Sequence, residues 1–251
     1  MFKFLKEGGG RMIYEWRKGM IAFFVALVAG LVLASNGFAG GNPANGKDLF
    51  MKNCVVCHGD KGQGRGGPAG WFTGGGGEIS PLIGNQLSNQ VFLATASDEF
   101  IRYTIENGRP GRAMVTWKGK LKDSEIADVV AFLRSWQKAP SIKLTDEPAW
   151  GNPAAGGELF GAICTPCHGV KGKGTDQAPA LNVQTFLDVA SDDFIRQTMH
   201  KGRPGTVMRS FLKGNDEAVV ELEPRQIEDI IAYVRTWDKK AKGKIESWLM
   251  K

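Results

Sequence analysis

The chain has 251 residues, of which 42% are hydrophobic, 23% charged and 10% aromatic, close to ordinary globular usage. That composition excludes a disordered or coiled-coil protein and leaves room for one or two domains with buried cores. The net charge of +6 divides into +3 over residues 1–40, +3 over residues 41–140 and zero over residues 141–251. No part carries the clustered basic face that nucleic-acid binding needs, so no nucleic-acid partner is expected.

Residues 20–34 read MIAFFVALVAGLVLA, an uncharged apolar run preceded by Lys3, Lys6, Arg11, Arg17 and Lys18 against Glu7 and Glu15. The basic side stays cytoplasmic by the positive-inside rule. Fifteen residues at about 1.5 Å rise span about 22 Å, short of a hydrocarbon core of about 30 Å unless the next few residues help. The length suits either an exported leader or a short anchor. Gly37-Phe38-Ala39 offers a small-x-small cleavage site, whereas the long charged lead-in favours a retained anchor over residues 1–40.

All four cysteines lie in two copies of one pattern, Cys54-Val55-Val56-Cys57-His58 and Cys164-Thr165-Pro166-Cys167-His168. C-x-x-C-H is the pattern of covalent c-type haem attachment, and its spacing has a mechanical reason. On one helical turn the sulfurs at i and i+3 face the same side and reach the two vinyl groups of one porphyrin, with the histidine at i+4 under the iron. A thioredoxin-like dithiol needs neither the histidine nor a second copy. Zinc would have to draw most of its remaining ligands from carboxylates, since the chain has three histidines in all. The expected cofactors are therefore two covalently bound haem c groups. Haem of this kind is attached outside the cytoplasm, which places everything after Gly40 on the outer, periplasmic face of the cytoplasmic membrane, anchored N-terminally or released by cleavage near Ala39.

The motifs belong to a larger repeat. GNPANGKDLFMKNCVVCHGDKGQG from Gly41 recurs as GNPAAGGELFGAICTPCHGVKGKG from Gly151, an offset of 110. ASDEFIRYTIENGRPGRAM from Ala96 recurs from Ala190 at an offset of 94, and the segment from Leu121 recurs from Leu222 at 101. Two domains, 41–140 and 151–251, are expected on either side of a polar linker at 141–150 that holds Pro148. Each reads as three helices. The first ends in the haem motif. The second starts at Ser97 or Ser191 and stops at Gly108 or Gly202. The third carries helical apolar spacing at Ile126, Val129, Val130, Leu133 and Trp136, matched by Ile227, Ile230, Ile231, Val234 and Trp237. Pro224 suits N1 and Gln226 and Glu125 suit N3 of this last helix. The extra segment of the first copy, around Trp71 and glycines 74–77 within 66–80, reads as a flexible surface loop. The G-x-G-x-x-G match at Gly62, Gly64 and Gly67 follows no strand, and Asp48 stands where a phosphate loop needs serine or threonine. Both nucleotide motifs are rejected.

Two haems need two more iron ligands, and His200 is the only spare histidine. Met114 and Met208 occupy the same repeat position, in GRPGRAM and GRPGTVM, which selects them over methionine as plain core filler. Met199 and His200 have no counterparts in the first copy and are runners-up. A ligating histidine usually donates its second ring nitrogen to a carbonyl. Pro81 and Pro179 are the candidate suppliers for His58 and His168.

These residues resemble class I cytochromes c in tandem, the two-domain dihaem cytochromes c, over residues 41–136 and 151–237. Gly46 and Phe50, Gly156 and Phe160, and the aromatic last helix extend the match beyond the pentads. The resemblance implies an all-α fold with one haem per domain, first and last helices crossing at glycine and aromatic positions, and Met114 and Met208 as distal ligands. It implies single-electron transfer rather than catalysis, with redox proteins as partners: subunits of a quinol-oxidising cytochrome bc-type complex, or a terminal oxidase. A freely diffusing periplasmic carrier, and an enzyme of the dihaem peroxidase or thiosulfate-oxidising kind, remain as alternatives. The long glycine-rich loop and the insertion GNDEAVVE of the second copy depart from the family pattern.

Overall fold

The computed structural model describes residues 40–67 and 80–240. The expected N-terminal apolar helix, the cleavage site at residues 37–39 and the core of the glycine-rich loop lie outside the described residues. Among the described residues no helix is long and apolar enough to cross a membrane.

In the first repeat, α1 (Pro43–Asn53) is followed by α2 (Val55–His58), β1 (Arg65–Gly67), β2 (Ser80–Gly84), α3 (Gln90–Thr95), α4 (Asp98–Asn107) and α5 (Asp123–Arg134). The second repeat runs through α6 (Pro153–Leu159), a π-helical segment (Phe160–Cys164), α7 (Thr165–His168), α8 (Gln184–Leu187), α9 (Asp192–Lys201), β3 (Ser210–Leu212), β4 (Ala218–Leu222) and α10 (Pro224–Arg235).

Local chemistry sets these boundaries. Asn42 and Asn152 cap α1 and α6 with side chains that accept main-chain N–H bonds, just before a proline at the first turn. Ser97 and Ser191 cap α4 and α9 through Phe100 and Phe194 N–H, with acidic residues in both first turns. Glu125 and Gln226 reach back to the N–H groups of Lys122 and Glu223 at the starts of α5 and α10.

The two repeats are helical, but three features go beyond three helices each. Short helices α3 and α8 precede the middle helices; Asn89 caps α3, and Leu93 and Thr95 on it are buried. The first helix of each copy is interrupted at the first cysteine of the haem motif, by Cys54 at φ −118° in one and by the π-helical turn that ends on Cys164 in the other. Two small ladders form, β1 antiparallel to β2 and β3 parallel to β4. In the second ladder β4 is drawn almost wholly from the GNDEAVVE insertion, whose adjacent valines favour extended backbone, and it pairs with β3 just ahead of that insertion.

First and last helices cross at glycine. A Cβ on Gly46 would lie 1.9 Å from the Asp128 carbonyl oxygen, and one on Gly156 would lie 1.8 Å from that of Asp229. Only glycine lets α1 meet α5, and α6 meet α10, backbone to backbone. The same aspartates anchor the incoming strand of chain, since Asn42 N–H donates to Asp128 Oδ1 and Asn152 N–H to Asp229 Oδ1, both at 2.6 Å. Beside each crossing an aromatic is sealed: Phe50 lies 5.5 Å from Phe132 and 5.3 Å from Trp136, and Phe160 lies 5.6 Å from Tyr233 and 5.2 Å from Trp237. Burying each phenylalanine contributes about 2–3 kcal/mol.

The residues from Gly41 onward form one compact unit. The core of the first repeat takes in Ala190 and Phe194 of the second. Between the repeats, Tyr103 Oη donates to Asp188 Oδ2 at 2.7 Å, Asn89 Nδ2 to the Pro204 carbonyl at 2.9 Å, and Thr185 Oγ1 to the Gly108 carbonyl at 2.9 Å. The linker is tied down as well, through Thr145 N–H to Asp193 Oδ2 at 2.9 Å and Ala149 N–H to Asp192 Oδ2 at 2.6 Å.

Candidate haem centres

The short turns α2 and α7 each end in the histidine of a pentad, stopped by Gly59 at φ 74° and Gly169 at φ 73°. None of the four cysteines is in a disulfide. Burial, with the neighbouring Cys57 and Cys167 adding to it, pushes the Cys54 thiol up to about 11 and the Cys164 thiol up to about 12. A redox-active dithiol has its attacking thiol pushed the other way, toward the thiolate.

Each histidine is oriented by one main-chain carbonyl. His58 Nδ1 lies 2.9 Å from the Asn85 carbonyl oxygen, and His168 Nδ1 lies 2.9 Å from that of Pro179. A carbonyl only accepts, so Nδ1 carries the proton and Nε2 keeps its lone pair for a metal. Burial lowers the pKa of both imidazoles, favouring the neutral form that ligation requires. In the first repeat the supplier is Asn85 and not Pro81. Pro81 belongs to β2, in the ladder with β1, and the chain reaches the histidine only after Gly84, where a Cβ would stand 2.3 Å from the Cys57 carbonyl oxygen. Close passage of this backbone past the haem turn fixes Asn85 as the next available carbonyl.

Met114 and Met208 stand in matching loops after α4 and α9. Gly108 at φ 61° and Gly202 at φ 65° turn the chain, and Arg109 N–H closes the first loop onto the Met114 carbonyl at 2.8 Å. Arg203 N–H does the same onto Met208, at 2.5 Å. A side chain at either glycine would run into this loop, whose methionine carbonyl lies 2.6 Å away in the first copy and 2.7 Å in the second. Met208 packs on the second core and Met199 is buried inside it. His200 lies on α9 with Nε2 buried and without a hydrogen-bond partner; burial, then the nearby Arg196, lowers its pKa.

Sequence reasoning missed Asn85 and a set of side chains at the junction of the repeats: Phe92, Phe100 and Arg109 with their equivalents Phe186, Phe194 and Arg203. Their recurrence at the offset of 94 is the signal that marks them.

The donor set fits haem in both copies: two thiols on one turn, then a histidine whose tautomer is fixed with Nε2 free. Fold and site together define a tandem c-type haem protein, one covalently held haem to each helical repeat. The Cytochrome c family model matches residues 43–137 and again 153–238, and the chain belongs to that family. Among relatives, "Cbb3-type cytochrome c oxidase subunit FixP" of Bradyrhizobium diazoefficiens is 31% identical over 65% of this chain and 53% of its own. FixP of Azorhizobium caulinodans is 29% identical over 77% of this chain and 59% of its own. "Cytochrome c6" of Tetradesmus obliquus is 32% identical over 36% of this chain and 85% of its own. The chain thus spans a little over half the length of the oxidase subunits it matches. Among solved structures, a chain of the "Kuenenia stuttgartiensis reducing HAO-like protein complex Kustc0457/Kustc0458" gives a TM-score of 0.46 at 22% identity, covering 78% of this chain and 96% of that one.

Proposed function

We propose that the protein is a dihaem electron-transfer subunit of a membrane-bound terminal oxidase, held on the outer face of the cytoplasmic membrane by residues 1–40, with haem domains at 41–140 and 151–251. The observation that carries the electron-transfer reading is the duplicated histidine geometry, each Nδ1–H committed to a carbonyl at 2.9 Å within one compact unit. The haem supplies a one-electron ferric–ferrous couple. Around it, Cys54, Cys57, Cys164 and Cys167 hold the rings covalently and His58 and His168 donate Nε2. Met114 and Met208 would supply a second protein ligand to each iron, and irons so held would have no open site for substrate, unlike those of a peroxidase. The two repeats pack as one unit, joined by the Tyr103–Asp188, Asn89–Pro204 and Thr185–Gly108 hydrogen bonds. The oxidase partner is supported by the FixP and CcoP relatives, whose names place them in cbb3-type oxidases; a cytochrome bc-type partner has no such support.

Mass spectrometry of the protein tagged at Lys251 and purified from native membranes in mild detergent tests this reading. Two haem mass increments with stoichiometric integral oxidase subunits are expected. Emergence alone, trimmed near Ala39, would establish a diffusible carrier instead. In the purified protein Met114→Ala and Met208→Ala are each expected to remove the far-red sulfur-to-iron charge-transfer absorption of one haem; retention of the full band in either variant refutes that ligand.

A further inference from the structure

Arg109 and Arg203 are equivalent across the repeats, and each joins two parts of the molecule. The main-chain N–H of each closes a methionine loop, onto Met114 at 2.8 Å and onto Met208 at 2.5 Å. Each side chain then leaves its loop for the junction of the repeats. Arg109 places its guanidinium 5.9 Å from the Phe100 ring centre and 5.7 Å from that of Phe186 in the other repeat, while Nη1 donates to the Thr185 carbonyl at 3.0 Å. Arg203 mirrors it, 5.5 Å from Phe194 and 5.8 Å from Phe92. The threonine hydroxyls Thr104 Oγ1 and Thr198 Oγ1 accept from the two Nη2 groups at 2.8 and 2.7 Å.

Neither arginine forms an ion pair with a carboxylate among the described residues, and Nη1 of Arg203 is buried without a hydrogen-bond partner. Burial pushes both guanidinium groups down to about 10, and both therefore stay charged at neutral pH. The aromatic faces of Phe92, Phe100, Phe186 and Phe194 offset part of the cost of burying these charges. The chain carries this arrangement twice, at the same place in each repeat.

We propose that Arg109 and Arg203 are positioning residues for electron transfer: each ties its methionine loop to the opposite repeat, and its positive charge at the junction raises the reduction potential of both haems. The physical basis is that a haem loses one unit of positive charge when its iron takes up an electron, ferric to ferrous. A nearby buried cation disfavours the ferric state, and does so strongly where the surroundings are poorly polarisable. Because each side chain touches residues of both repeats, its charge acts on both centres. This rests on the reading of Met114 and Met208 as ligands.

The test is potentiometric titration of the dihaem holoprotein with Arg109→Gln, Arg203→Gln, the double variant, and the corresponding Leu and Lys variants, following the charge-transfer band in the same samples. Removing one charge should move both midpoints to lower potential, raising the ferric-to-ferrous ratio at fixed potential by about tenfold, with a larger shift in the double variant. Lys should restore most of the wild-type value. Leu provides a neutral side chain suited to the aromatic surroundings if Gln impairs folding. Wild-type midpoints in the neutral variants overturn the proposal. So does a fall with Lys as large as with Gln, which assigns the arginines to packing alone. Unchanged midpoints that gain a slope with pH also overturn it, because the haem carboxylates then hold the charge. Absence of the band in the wild type refutes methionine ligation separately, since the midpoint comparison is read without it.

Discussion

Phe100 and Phe194 occupy the same position in the two repeats and stack on one another, ring centres 4.6 Å apart at an interplanar angle of 25°. A residue that meets its own equivalent marks a local two-fold relationship, as at an isologous dimer interface. Phe186 meets both rings edge-on at 6.4 Å. Truncation at this point removes contacts from both repeats. Phe100→Ala and Phe194→Ala should each cost about 3–5 kcal/mol, and the double variant should cost less than the sum, since the two side chains share one contact. Urea unfolding followed by tryptophan fluorescence measures this; additive losses would show that the rings do not support each other.

The crossings at Gly46 and Gly156 are a harsher constraint, because the obstructing atom is a main-chain oxygen at 1.9 or 1.8 Å. Alanine there must push two helices apart. Gly46→Ala is expected to abolish stable folding of the first repeat, and Gly156→Ala that of the second, read as loss of one covalent haem from the mass of the expressed protein. Full haem loading of both variants would show that the crossings can widen.

A matched pair of arginines pins the last helices. Arg134 Nε lies 2.6 Å from Asp98 Oδ1, and its guanidinium also donates to the Leu93 and Ala96 carbonyls at 2.6 and 2.5 Å. Arg235 repeats the arrangement with Asp192, Leu187 and Ala190. Arg235→Ala strands a half-buried carboxylate and two carbonyls, and should cost about 3–5 kcal/mol. Asp192→Asn, which keeps a hydrogen-bonding side chain, should cost distinctly less. Equal midpoints in thermal unfolding would argue that the carbonyl contacts alone bear the load.

Much of this was readable from spacing. The pentads, the capped middle helices and the apolar ladder of the last helices are local patterns, and the repeat shows which glycines and aromatics recur. Pro179 could be named because it lies in a short, undivided loop. Asn85 could not, because a longer insertion precedes it and which carbonyl meets the histidine depends on how β1 and β2 pair. The GNDEAVVE strand was hidden by its brevity, and the junction by its nature: Phe100 and Arg109 read as ordinary helix and loop residues until the second repeat is folded against them.

Tyr103 and Asp188 give that junction a pH dependence with a definite sign. The Asp188 carboxylate, accepting from Tyr103 Oη at 2.7 Å, raises the tyrosine pKa, and partial burial adds to the effect. A raised value in the folded state means stability that is present below the unfolded pKa of about 10 and lost as pH climbs through the folded value. Asp188 responds at the other end: burial acts to raise its pKa, but bonds from Lys240, Tyr103 and Gln184 outweigh this and lower it. Its contribution is present above about 3.9 and lost as pH falls through the folded value. Tyr103→Phe should therefore cost about 1 kcal/mol near pH 7. The gap to wild type should close as the pH is taken above 10, where the wild-type hydroxyl ionises beside a carboxylate. Denaturant midpoints of both proteins from pH 7 to about 11 decide it; a gap that stays constant to the alkaline end would mean that the hydroxyl contributes through packing and not through this bond.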